Sequence, residues 1–247
     1  MNKLDYCYHT HTKRCGHAIG EDEQFVIEAI KCGIKRLGFS DHIFLEGFEE
    51  RGIRGDFEEL PGYLKSIRDL KEKYKDKIDI KVGFEAEYLP QYLDYYRKIL
   101  KNGTVDYLIL GQHNYIENNK SASYFNNPLK YFEDVIEGIK SGLFKYLCHP
   151  DLFMLFIYGW DKQIEAYARK ILEACEQYDM PIEINLTGIR RNRAYPCDEF
   201  FKLSKEYKLR YVIGVDAHAP EHFNKEDIAK AFEFAKKHNI EIIDLVI

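Results

Sequence analysis

Short apolar runs alternate with longer amphipathic stretches along all 247 residues of this chain. The short runs lie near Asp5–Tyr8, Arg36–Phe39, Ile78–Val82, Tyr107–Leu110, Lys145–Cys148, Ile182–Asn185 and Tyr211–Val215, and read as strands. Helices are predicted between them near Asp22–Gly33, Leu60–Tyr74, Gln91–Lys101, Pro128–Gly138, Lys162–Tyr178 and Asp198–Tyr207, with another at Lys225–His238. In the fifth of these, Ile164, Tyr167, Ala168, Ile171 and Leu172 recur at helical spacing. Asp22 and Asp198 suit helix starts, and Gly33 and Gly142 suit stops. Two longer irregular stretches, Ile43–Glu59 and Asn114–Asn127, follow strand ends and are expected to form lid or rim loops.

Strict β-then-α alternation implies a parallel sheet, either closed into a barrel or open and doubly wound. Periodicity does not separate the two. Polar residues at the C-terminal ends of six or seven different strands favour a barrel, which gathers all those ends around one axis. No internal repeat or linker interrupts the pattern, so residues 1–247 are expected to form a single α/β domain.

Hydrophobic residues at 45% can fill a substantial core. A formal net charge of −5 and the lack of a basic stripe argue against stable nucleic-acid binding, though not against a small anionic substrate. The start, Met1-Asn2-Lys3-Leu4-Asp5, has no apolar leader region, and no stretch is long enough to cross a bilayer, so a cytoplasmic protein is expected. The six cysteines form no C-x-x-C pair and are expected as free thiols, Cys7 and Cys148 buried, with Cys15 a possible ligand.

Seven of the 9 histidines fall at or just beyond predicted strand ends. They occur in His9-Thr10-His11, Cys15-Gly16-His17, Asp41-His42, Gln112-His113, His149-Pro150-Asp151 and Asp216-Ala217-His218, with Glu85 and Glu87 between. Residues two apart in extended backbone project to one side, so His-x-His is a natural clamp. Imidazole and carboxylate together suit zinc, manganese or iron. Each pair alone is weak evidence; their joint occurrence in phase with the strand ends predicts a shared metal cluster. His222 is expected to be solvent-exposed and His238 to sit as a cation at a helix end. The 19 tyrosines are expected to cover the outer shell, with Tyr115 beside His113 reaching the pocket.

These motifs, together with Gly38-Phe39-Ser40-Asp41-His42, Gly83-Phe84-Glu85-Ala86-Glu87-Tyr88, Cys148-His149-Pro150, Glu183-Ile184-Asn185 and Gly214-Val215-Asp216-Ala217-His218, resemble the PHP (polymerase and histidinol phosphatase) superfamily. Cys15-Gly16-His17-Ala18 and Thr187-Gly188-Ile189-Arg190 resemble its histidinol-phosphate phosphatase branch more narrowly. The resemblance implies a distorted seven-stranded, TIM-like (β/α)7 barrel with three metal ions (zinc, manganese or iron, divalent or trivalent) at the C-terminal face of the strands. One ion would be held by His9, His11, Glu85 and Asp216; a second by Glu85, His113 and His149; a third by His17, His42 and His218. Arg190 would bind substrate phosphate, and Asp216 or His218 would protonate the leaving group. Glu87 would orient a ligand histidine, and Asp41 and Asp151 would act in the outer sphere. The implied activity is hydrolysis of L-histidinol phosphate, a small phosphorylated substrate, in histidine biosynthesis. Nucleotide phosphates, oligonucleotides or phosphotyrosine are alternative substrates, and a non-catalytic metal-binding scaffold is a further reading. Gln112-His113-Asn114-Tyr115 departs from the Ser-x-His form common in the phosphatase branch, which bears on substrate more than on metal chemistry.

Overall fold

The computed structural model describes residues 3–50, 52–118 and 120–247. Met1 and Asn2, part of the start read as leaderless, lie outside them, as do Arg51 and Asn119 within the two expected rim loops. Strands β1 (Tyr6–Cys7), β2 (Arg36–Phe39), β3 (Asp79–Ala86) and β4 (Tyr107–Leu110) pair in that order, all parallel, into a curled four-stranded sheet. An antiparallel hairpin, β5 (Asn114–Glu117) and β6 (Lys120–Ser123), follows, and β7 (Ile182–Asn185) pairs in parallel with β8 (Tyr211–Gly214). The helices are α1 (Asp22–Cys32), α2 (Leu60–Tyr74), α3 (Leu93–Lys101), α4 (Pro128–Lys140), α5 (Lys162–Gln177), α6 (Leu186–Arg190), α7 (Asp198–Ser204) and α8 (Lys225–Lys237). None is long and apolar enough to cross a membrane, among the described residues.

Most strand boundaries match the apolar runs, but Lys145–Cys148 does not form a ladder. Its N–H groups at Lys145 and Cys148 donate to Leu108 and Leu110, yet only Leu147 makes a bridge, pairing with Leu110 on one side and Ile182 on the other. The run stops there because His149 turns to φ 26° and Pro150 brings no N–H to continue it. A further single bridge joins Thr10 to Ala217. These pairings line up the C-terminal ends of the strands on one side of the molecule.

The helix signals work locally as expected. Gly33 closes α1 at φ 87°, where a left-handed residue caps the last turn. Asp161 starts α5 by accepting the N–H groups of Gln163 and Ile164. The expected start at Gln91 is instead a 3-10 turn, Pro90–Tyr92, leading into α3.

Several tyrosines lie inside the fold, which corrects their expected place on the outer shell. Tyr8, Tyr63, Tyr96, Tyr107, Tyr124, Tyr131 and Tyr146 are fully buried. A tyrosine can be buried when its hydroxyl has a partner. The Tyr107 hydroxyl donates to the carbonyl of Tyr8 at 2.9 Å and contacts that of Phe39 at 3.1 Å, tying β4 to the first two strand ends. Its ring fills the space a side chain would need at Gly83, where a Cβ would meet it at 2.4 Å.

Candidate metal centre

Each strand end delivers polar side chains to one place. His9 and His11 follow β1, His42 follows β2, Glu85 lies near the end of β3, and His113 follows β4. His149 follows the Leu147 bridge, and Asp216 and His218 follow β8. His149 and Asp216 have positive φ, 26° and 48°, a costly conformation for residues other than glycine. Gly111 is needed where it stands, since a Cβ there would lie 2.0 Å from the Glu85 carboxylate.

Glu85 is the hub. Five imidazoles have a nitrogen within 3.5 Å of its carboxylate oxygens: His9 and His11 at 3.5 Å, His113 at 3.4 Å, His42 at 3.3 Å and His149 at 2.8 Å. Asp216 forms a second focus, with His11 and His218 at 3.3 Å and His9 at 3.5 Å. His9 Nε2, His11 Nε2 and His42 Nδ1, all within 3.5 Å of Glu85, are buried without a hydrogen-bond partner. Buried polar atoms are ordinarily satisfied, so this set fits a cation-binding role.

The tautomers point the same way. The Nδ1–H of His17 donates to the Cys15 carbonyl at 3.0 Å, and that of His218 to the Asp216 carbonyl at 3.1 Å. Their Nε2 atoms therefore carry lone pairs, yet they face each other at 2.9 Å. A shared proton or a metal ion would resolve that repulsion. Three-residue groups able to hold an ion include His9, His11 and Asp216; His9, Glu85 and His149; His11, His42 and His218; and Cys15, His17 and His218.

Burial alone would raise Glu85, but His113, His9 and His42 hold its carboxyl well below the usual range. Burial is likewise outweighed at Asp216, where His9, His218 and the contact with His11 keep it ionised. An anion so held suits metal ligation. His218 has its Nδ1–H committed to the Asp216 carbonyl, which leaves Nε2 as the atom that faces the centre. Burial, reinforced by His218, pushes His11 down to about 3, and burial holds His42 well below its ordinary value. His113 goes the other way: burial would lower it, but Glu85 and Glu87 raise it to about 9. Burial is also overcome at His9, which Glu183 and Asp216 raise well above the ordinary range.

Each surrounding acid has at least one partner, though Glu87 Oε2 and Asp151 Oδ1 are buried without one. Glu87 lies 3.5 Å from His113 Nδ1 and accepts from Arg54 at 2.9 Å, an arrangement that can orient the imidazole. Asp41 accepts both the backbone N–H and the hydroxyl of Thr12 and stands 3.9 Å from His11 Nδ1. Asp151 accepts the Cys197 N–H. Burial pushes both of these carboxyls up to about 7. Sequence reasoning assigned no task to Glu183, which is fully buried and bonded to His9 Nδ1 at 2.8 Å. His222 is half-buried, not exposed as expected, because its Nδ1 accepts the His218 N–H at 3.0 Å. His238 does cap the end of α8 and pairs with Asp198 at 2.8 Å.

The cluster floors a cavity of about 270 Å³. Tyr124, Phe125, Leu152, Leu155, Phe156 and Tyr195 supply its apolar wall, with Asn114 and Ser123 from the hairpin at the rim. Tyr115 packs against Tyr124, which lines the cavity in its stead. Arg190 is also displaced from its expected place. Its guanidinium contacts Asp227 and Thr187 at 3.0 Å and the Val215 carbonyl at 3.3 Å. It ends α6 and leans back over Thr187 one turn earlier, so Arg191 and Arg193, beyond the helix end, line the cavity instead. All six cysteines are free, with Cys7, Cys15 and Cys148 buried.

Known proteins match over most of the chain. It is 28% identical to a probable histidinol-phosphatase of Deinococcus radiodurans over 229 residues, 86% of this chain and 85% of the relative. It is 24% identical to the histidinol-phosphatase of Bacillus subtilis over 246 residues, 85% of this chain and 92% of the relative. The fold superposes on histidinol phosphate phosphatase from Lactococcus lactis, solved with zinc, L-histidinol and phosphate, with a TM-score of 0.74 at 18% identity, covering 97% of this chain and 95% of that one. A model of the PHP domain matches residues 8–187, and the chain belongs to that family.

Proposed function

We propose that this chain is a metal-dependent phosphomonoesterase that hydrolyses L-histidinol phosphate to L-histidinol and phosphate. The observation that carries this reading is the ring of five imidazoles within 3.5 Å of Glu85, at the floor of a cavity flanked by two arginines. The histidinol-phosphatase names of the relatives support the choice of substrate. On this reading the centre would take three ions. His9, His11, Glu85 and Asp216 would hold one; Glu85, His113 and His149 a second; His17, His42 and His218 a third. Bound divalent ions supply an acidified water and neutralise phosphoryl oxygens.

The protein's own part is to hold and to exclude. Arg191 and Arg193 present guanidinium groups to phosphate oxygens, a geometry their planar forks suit. The ring-bearing remainder of the substrate would lie against Phe125, Phe156 and Tyr195, which also keep water from the leaving group's side. The parallel pairings Leu110–Leu147–Ile182 and Thr10–Ala217 support reading the two sheets as one distorted seven-stranded barrel over residues 1–247. Six free thiols support a cytoplasmic setting.

Steady-state hydrolysis of histidinol phosphate, beside a dinucleotide and a phosphotyrosine peptide, tests the proposal. A kcat/KM for histidinol phosphate at least about tenfold above the others is expected. A higher value for either of the others would replace the substrate. Bound zinc with no turnover of any phosphate ester would leave a scaffold.

A further inference from the structure

Glu183 lies entirely inside the protein, yet it carries a carboxylate with no basic side chain of lysine or arginine bonded to it among the described residues. Its oxygens are filled by three donors from the metal centre's own framework. Oε1 accepts from His9 Nδ1 at 2.8 Å. Oε2 accepts the His149 backbone N–H at 2.9 Å and the Asn185 amide at 3.0 Å. Asn185 in turn reaches Asp216 Oδ2 at 3.2 Å. Gly214 on the neighbouring strand makes the room, since a Cβ there would lie 1.5 Å from Oε1.

The consequence falls on His9. With Nδ1–H given to Glu183, its Nε2 is the buried nitrogen without a partner, 3.5 Å from both Glu85 and Asp216. The bond to the His149 N–H also pins a residue at φ 26° whose Nε2 reaches Glu85. We propose that Glu183 is the positioning residue of the centre: it aims His9 Nε2 between Glu85 and Asp216 and holds His149 against Glu85. The inference rests on the metal-centre reading above. It adds that this anion acts through His9 and His149 without itself touching the ion.

Zinc affinity of the full-length protein, followed by stepwise competition with a chelator and by metal content after dialysis, reads this out without turnover. Glu183→Ala should weaken one or two of the bound equivalents about 10- to 100-fold and leave the remainder at the wild-type value. Glu183→Gln keeps the shape and one acceptor oxygen but sets its own NH2 against two donors, so it should fall between wild type and Glu183→Ala. Circular dichroism checks folding, and if Glu183→Ala unfolds, Glu183→Gln decides alone. Wild-type zinc affinity in Glu183→Gln would overturn the proposal. So would complete loss of one equivalent in Glu183→Gln, the result expected of a direct ligand. Failure of the wild type to bind zinc would sink the centre itself, whereas wild-type binding with unaffected variants would sink only the role of Glu183.

Discussion

Metal loading should rise steeply between pH 7 and 9, because ions must displace protons held by the same carboxylates that recruit them. In the metal-free protein Glu85 and Glu87 overcome burial and raise His113 to about 9. At pH 7 only about 1% of His113 would be neutral and able to ligate, against about half at pH 9. Competition from that one proton costs about 2.7 kcal/mol at pH 7 and about 0.4 kcal/mol at pH 9, so the rise in pH gives a roughly 50-fold gain in zinc affinity. His9 is raised too, by Glu183 and Asp216 against the effect of burial, so it adds to the slope in the same direction. Chelator-competition titrations at pH 7, 8 and 9, corrected for the chelator's own protonation, measure the affinity. Calorimetry in two buffers of different ionisation enthalpy counts the protons released at pH 7, where at least about one per chain is expected. Glu87→Gln should flatten the slope by removing one of the two charges that raise His113. Flat affinity across the range with no proton release would refute the reasoning.

The stripped protein should behave oppositely to the loaded one. His9 and His113 have folded-state pKa values above the unfolded value of about 6.5, so their contribution is complete below that pH and is lost as pH rises toward 9. Urea midpoints of metal-free protein should fall over that window, and a rising midpoint would contradict the assignment. Asp216→Asn should cut kcat by more than the roughly 100-fold typical of losing an outer contact, with the circular dichroism spectrum unchanged; retained turnover would remove Asp216 from the centre. Arg193→Ala should lower kcat/KM about 10- to 100-fold, the worth of a charged hydrogen bond, while Arg190→Ala should mainly lower the urea midpoint through lost bonds to Asp227 and Thr187. The reverse pattern would return Arg190 to the phosphate. Gly83→Ala forces a methyl against the Tyr107 ring and should destabilise by about 1–3 kcal/mol in urea unfolding, whereas an unchanged midpoint would show the ring free to move.

The centre was legible in the sequence where chemistry and strand spacing coincide. His9 and His11, two apart at a strand end, reach one cluster as alternation predicts, and Asp216 and His218 join it from just beyond β8, where Asp216 turns to φ 48°. What escaped notice depends on features that periodicity does not encode. Glu183 sits in a four-residue strand that is buried throughout, where neighbouring apolar residues mask one carboxylate. Helix α6 spans five residues, too few for a period, yet its phase decides that Arg193 and not Arg190 faces the cavity. The β5–β6 hairpin hid in an asparagine-rich stretch, although Asn118 at φ 51° is the kind of residue such a turn uses.

The same comparison explains why the site does not read as ordinary core. A buried nitrogen without a partner costs about 1–3 kcal/mol, and three such imidazole nitrogens, His9 Nε2, His11 Nε2 and His42 Nδ1, gather within 3.5 Å of Glu85. Together they cost about 3–9 kcal/mol, a large part of the roughly 5–15 kcal/mol that stabilises a typical domain. Positive φ at His149 and Asp216 adds to it at the same place. Packing alone gives no return for such an arrangement, since apolar residues of similar size would fill the space without that cost. Cations ligated by those nitrogens and by two deeply ionised carboxylates would offset it, so the fold should be most stable when its centre is loaded.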